Sequence, residues 1–175
     1  MLKVLLFAGI GIALVLVCVL VLAAMKPARF TIARSITVKA PPEKVLVLVD
    51  DLHRWPEWSA DAKEDPNARE IYSGQPAGKG AVSEWDSKQG KVRLEIVESN
   101  PGEIRVQADW TKPFVARNLN TFTFVPQSDG TRVTWSLDGE NVFMLKVMTV
   151  FVSADRIMGS HFEKGLAGLK SAAEK

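Results

Sequence analysis

The chain offers few groups able to move a proton. Its two histidines are His53 and His161. No HExxH, CxxC, P-loop, GxSxG or dinucleotide fingerprint is present. The one cysteine, Cys18, lies inside an apolar run, where it reads as a buried filler. Two histidines and no available thiol do not make a zinc site, so neither a metal nor a cofactor is expected. Two charged residues fall in phase with apolar neighbours. Asp155 stands four after Phe151 and three before Met158, and Arg34 shares the parity of Ile32 and Ile36. A buried charge without a partner is costly, so each is expected to be paired or at a cavity mouth. Asp155 and His161 are the weak catalytic candidates, as groups that transfer protons. The plainer reading is a structural ion pair, a solvated helix end or a strand bulge for the charges. For His161 it is a hydrogen-bonded boundary residue, and for His53 a surface or capping role.

The tryptophans are the other unusual feature. The stretch DDLHRWPEWS places Trp55 and Trp58 around a proline, directly after an apolar segment. Such a segment is too short and polar for a core strand, yet an indole is a large apolar group. Trp85, Trp110 and Trp135 sit on period-two segments, and plain core packing explains each of them.

These residues must be positioned by a small set of elements. FTIARSITV (30–38) alternates as a strand. Pro41 and Pro42 suit a helix entry, and a helix is expected over about 42–52, with a turn or short second helix over 54–58. Further strands are expected at 69–74, 81–87, 91–98, 104–110, 120–126 and 131–138, separated by Gly-, Pro- and Asp-rich turns. Strict alternation with short turns implies an antiparallel sheet with one dry face. Phe122 and Phe124 share one face of their strand. From Met144 to about Glu174 the apolar positions recur every three or four residues, which predicts one long amphipathic helix. Gly159, Gly165 and Gly168 weaken a helix interior; close approach of the helix backbone to the sheet is their expected benefit.

Residues 4–24 carry no charge. As a helix, at ~1.5 Å per residue, they span about 31 Å, close to the hydrocarbon thickness of a bilayer. The run is longer than the apolar core of a signal peptide and ends in a poor cleavage site, LAAMKP. Residues 1–27 are therefore expected to be an uncleaved single-pass transmembrane anchor in the cell membrane, and 28–175 a globular domain. The flanking charges are nearly balanced, with a lean toward the domain on the extracytoplasmic side. A composition of 47% hydrophobic and 24% charged residues fits a folded domain. Setting aside Lys3 and Lys26, the 22 basic residues fall to 20, against 20 acidic. That neutral balance argues against nucleic-acid binding.

Several ordered blocks carry a resemblance: RSITVKAPPEKV, DDLHRWPEW, YSGQPAGKGAVSEWDS, LEIVESNPGEIRV, TKPF, GTRVTWSLDGE and MGSHFEKGLAGLK. Together they resemble the SRPBCC superfamily, relatives of START and Bet v 1 domains, in its polyketide-cyclase/dehydrase-type branch. The resemblance implies an α+β helix-grip fold: a curved antiparallel sheet of about seven strands wrapped on a long C-terminal helix, with two short helices after the first strand. It places Trp55 and Trp58 at the rim of a cavity between sheet and helix. The candidate ligand-binding set is then Trp55, Trp58, Trp85, Trp110, Phe122, Phe124, Trp135, Phe151 and Met158. The leading expectation is a membrane-anchored protein that binds a small hydrophobic molecule or lipid. The alternatives are a cyclase- or dehydrase-like enzyme using the same cavity, and a membrane-tethered scaffold whose interior is filled.

Overall fold

The computed structural model describes residues 2–60, 65, 68–88, 90–141, 143–150 and 153–175, without the side chains of 2–6, 8, 144, 154 and 157. Among the described residues the elements follow in the order α1 (Leu2–Ala24), β1 (Arg29–Val38), α2 (Pro42–Asp50), a 3₁₀ turn (Leu52–Glu57), β2 (Arg69–Gly74), β3 (Ala81–Asp86), β4 (Lys91–Asn100), β5 (Glu103–Lys112), β6 (Ala116–Gln127), β7 (Gly130–Glu140), α3 (Phe143–Met148) and α4 (Ala154–Ala173). The strands form one antiparallel sheet in the order β1-β7-β6-β5-β4-β3-β2. From β2 to β7 it is a meander. β1 and β2, neighbours in sequence, lie at opposite edges, and α2 with the 3₁₀ turn crosses between them.

The β-branched valines of α2 do not prevent a helix. Pro42 opens it, and Val45, Leu48 and Val49 share one buried face. That spacing of three and four turns them toward the sheet, where burial outweighs the small propensity cost of valine.

The C-terminal region departs from expectation. One continuous helix was predicted from Met144 to Glu174; two are present, and the chain between them includes Thr149, Val150 and Ser153 outside any helix. Ser153 has extended backbone angles and its side chain accepts a hydrogen bond from the Arg156 backbone N–H, so α4 begins there with an N-cap. Asp155 consequently occupies the first turn of α4 instead of a buried stripe. Phe162, Leu166, Leu169 and Ala173 form the buried face that follows. α4 lies along β1 and reaches α2.

Glycine permits that closeness. A Cβ on Gly165 would stand 2.8 Å from the Trp135 ring, and one on Gly168 would collide with the Trp58 carbonyl oxygen. Gly159 leaves room for the Arg34 guanidinium in the same way.

α1 is 23 residues long, and most of its described large side chains are exposed, among them Phe7, Ile10, Leu14 and Leu20. Among the described residues no helix is long and apolar enough to cross a membrane; within α1 the unbroken run of described side chains is residues 9–24. Two hydrogen bonds from Asn141 fix the exit of α1: its backbone N–H donates to the Ala28 carbonyl at 2.8 Å and its amide to the Pro27 carbonyl at 3.1 Å. α3, which starts two residues later, packs against α1.

Candidate functional site

The dry face of the sheet is built in rungs, because antiparallel register puts side chains of equal parity side by side across strands. One rung runs Glu70, Trp85, Val92, Trp110, Ala116 from β2 to β6. The next contains Leu94, Ala108, Asn118 and, through Gly139, Phe30. A third holds Ile96, Val106, Asn120 and Leu137. The fourth holds Ile104, Phe122 and Trp135.

Over the first three rungs lies a cavity of about 440 Å³. All five tryptophans of the chain contribute to its wall. The α4 side supplies Met158, His161 and Phe162, and α3 supplies Leu145. The alternative of a fully filled interior does not match this cavity.

The tryptophans on the turn find a simple answer. Asp51 caps the 3₁₀ turn by accepting the His53 backbone N–H, and its carboxylate also meets the His53 ring at 3.0 Å. The turn then delivers both indoles back over α2. Trp55 Nε1–H donates to the Val49 carbonyl at 2.9 Å and Trp58 Nε1–H to the Leu48 carbonyl at 2.8 Å. These are carbonyls at the C-terminal end of α2, where intrahelical partners run out. Trp58 is 1% exposed and meets Phe122 and Trp135 edge to face at 6.1 and 6.0 Å. Trp135 stacks on Phe162 at 4.1 Å and on Phe122 at 5.0 Å. It also donates its indole N–H to Asn120 Oδ1 at 2.9 Å.

Trp85 and Trp110 are different. Both are half-buried, and among the described residues neither has a ring partner nor a hydrogen bond from its indole nitrogen. They flank Val92 on adjacent strands, so their backbones are about 10 Å apart, at ~4.8 Å per strand.

The site set expected from sequence divides. Trp55, Trp58, Trp85, Trp110, Trp135, Met158 and His161 line the cavity. Phe122 and Phe124, 0% and 3% exposed, are instead core beneath the filled end of the sheet. Phe151 lies outside the described residues. Asp155 is not in the cavity wall: its side chain is 60% exposed and binds Arg34 through two oxygens at 2.8 and 2.9 Å. Arg34 also donates to Glu163 at 2.9 Å. That hydrogen bond from Arg34 holds the Asp155 carboxyl below its ordinary value, and the Arg34 guanidinium is raised in return. The structural-ion-pair reading of Asp155 and Arg34 is the one the geometry matches.

Three polar residues of the wall went unremarked in the sequence. Asn118 and Asn120 are 7% and 6% exposed. The indole of Trp135 can only donate, so Asn120 must turn its oxygen to it, leaving its NH₂ donors in the wall. The Asn118 side chain has no protein partner among the described residues. Glu70 lines the cavity and accepts from Ser83 Oγ at 2.7 Å and from the Tyr72 hydroxyl. Burial, with that bond to Glu70, raises the Tyr72 phenol well above its ordinary value. The parity of Asn118 and Asn120 with Phe122 and Phe124 was the available signal. Among the described residues, no group of His, Cys, Asp and Glu could hold a metal ion.

The family described as polyketide cyclase/dehydrase and lipid transport matches residues 29–174. No curated protein matches the chain. Among solved structures, protein CV1439 from Chromobacterium violaceum is similar at a TM-score of 0.61 and 16% identity, over 83% of this chain and 97% of that one. The di-domain ARO/CYC protein StfQ of the steffimycin biosynthetic pathway is similar at 0.66 and 12%, over 84% and 52%. The Aha1 dimer from Colwellia psychrerythraea gives 0.56 and 17%, over 83% and 96%. At these identities the likeness shows the fold alone, an SRPBCC-type helix-grip fold.

Proposed function

The chain belongs to the polyketide cyclase/dehydrase and lipid-transport family, and we propose that it binds a small, largely apolar molecule in the chamber between the sheet and α4. One observation carries this reading: a cavity of about 440 Å³ whose wall holds two indoles and an amide that, among the described residues, have no ring or side-chain hydrogen-bond partner. Small-molecule sites run from roughly 300 to 1,000 Å³, mostly apolar with a few polar groups that set orientation. Apolar burial contributes about 25 cal/mol per Å², which supplies affinity here. Native mass spectrometry of the full chain from detergent tests it. A non-protein mass lost in an Ala108→Phe variant supports the reading; a wild-type protein that never carries or accepts a guest sinks it.

α1 holds the domain at a membrane in this proposal. Its 23 residues, at ~1.5 Å each, extend about 34 Å, enough for a bilayer core. A helix apolar on all sides belongs in a core or a membrane, and the exposed side chains of α1 have no core around them. The Asn141 clamp would keep the domain close to the membrane surface, and the lean of the flanking charges supports the extracytoplasmic side. Alkaline-carbonate extraction and a topology reporter test both statements; release of the intact chain from membranes overturns the first.

A second reading is cyclisation or dehydration in the same chamber. Its support is that His161 and Glu70 face one cavity, which offers two groups for proton transfer. Loss of one water from a recovered ligand on incubation with wild type, but not with His161→Gln, distinguishes it from carriage.

A further inference from the structure

The wall of the cavity carries an uneven charge. Its described lining includes two carboxylates, Glu70 and Glu140, and no lysine or arginine. Glu140 is exposed at the rim, whereas Glu70 is half-buried on the sheet. The two groups that hold Glu70, the hydroxyls of Ser83 and Tyr72, are neutral. Among the described residues no ion pair neutralises it. A carboxylate has about four acceptor sites, so two hydroxyl donors leave capacity for a further partner. Glu70 is the register partner of Trp85, which places its side chain next to that indole on the same face. The faces of the indoles are themselves electron-rich, and five of them surround the space. The Asn118 amide, 7% exposed and without a side-chain partner among the described residues, faces the same space and can accept a further N–H.

From this arrangement we infer that the cavity selects an amine: an apolar, ring-bearing molecule whose protonated nitrogen sits between the Trp85 face and the Glu70 carboxylate. The inference rests on the cavity reading above. A cation over an indole and a charge-assisted hydrogen bond to a carboxylate both favour the ammonium. A fatty acid would meet like charge and, among the described residues of the wall, no lysine or arginine to receive it.

Isothermal titration of the full chain in detergent with naphthylethylamine, naphthylethanol and naphthylacetate tests this, at a mildly alkaline pH above the ordinary histidine range. The expected order is amine, alcohol, acid, with the amine about tenfold tighter than the alcohol. Glu70→Gln should erase most of the amine's advantage and leave the alcohol unchanged, since glutamine keeps an acceptor for Ser83 and Tyr72. Trp85→Leu should weaken all three and narrow the same gap. The inference is overturned if the acid binds as tightly as the amine, or if the advantage survives in both variants. If none of the three binds to wild type, the cavity reading itself fails, and the selectivity falls with it.

Discussion

The inner face of β6 reads Ala116, Asn118, Asn120, Phe122, Phe124 along one strand. At its Phe end the sheet is covered by α2 and the C-terminal half of α4, and the aromatic rings touch. At its Asn end the same strand turns small and polar residues to the cavity. Two tryptophan environments follow. Trp58 and Trp135 sit in a packed cluster with their indole N–H groups satisfied, whereas Trp85 and Trp110 face open volume. One end of the sheet holds the domain together, and the other encloses the cavity.

The sharpest way to break this division is to make the same deletion at both ends. Trp58→Ala removes a buried ring, three ring contacts and a hydrogen bond, and should cost about 3–5 kcal/mol in denaturant unfolding. Trp110→Ala removes a ring that packs on no other ring, and should cost about 1 kcal/mol while weakening probe binding. Equal losses at the two positions would mean that Trp110 is core and the division false.

Gly168→Ala probes the filled end from the helix side. The added methyl meets the Trp58 carbonyl oxygen, which is backbone and cannot move aside. Overpacking of this kind costs about 1–3 kcal/mol. Gly102 has open space around it, and Gly102→Ala should leave the midpoint nearly unchanged. An unchanged midpoint for Gly168→Ala would mean that α4 does not approach the 3₁₀ turn as closely as described.

These two ends explain what could be read in advance. The strands were legible because one face is dry, so alternation survives along most of them, clearest in β5, β6 and β7. The glycines of α4 were legible as sites of close approach. Parity, however, reports which face a residue occupies and not what lies above it. Phe122 and Phe124 were expected in the ligand site because they share a face with it; the helices decide that they are core. Asn118 and Asn120 share that face too, and their burial was hidden because polar residues at dry positions read as interruptions. The break before α4 was hidden for a related reason. Apolar spacing continues from Met144 to Met148 and again from Met158, and only the Ser153 cap ends the period.

Filling the hollow end gives a smaller stability effect and a clear functional one. Ala108 is on the cavity floor, 3% exposed. Ala108→Phe should leave the unfolding midpoint within about 1 kcal/mol of wild type, since the ring enters existing space. Binding of naphthyl probes should fall by tenfold or more. A large destabilisation with binding intact would place the free volume elsewhere.

The smallest effect belongs to neither end, and it tests whether Asp155 has any work beyond tying α4 to β1. Its carboxyl lies below the ordinary 3.8 because Arg34 hydrogen-bonds it, with the attraction of their charges adding to this. A carboxyl more acidic in the folded state adds stability at every pH above its unfolded value, and gives it up as pH falls through the folded one. Asp155→Asn should therefore lower the unfolding midpoint slightly and by a constant amount near neutrality. The gap from wild type should shrink from about pH 3.8 downward and close below the depressed value. Glu163 still holds Arg34 in the variant, and the pair is exposed, so added salt should narrow the gap further. Probe binding should not change, because Asp155 is outside the wall. A variant that keeps its midpoint and loses binding would return Asp155 to the ligand site and dissolve the separation between the ion pair and the chamber.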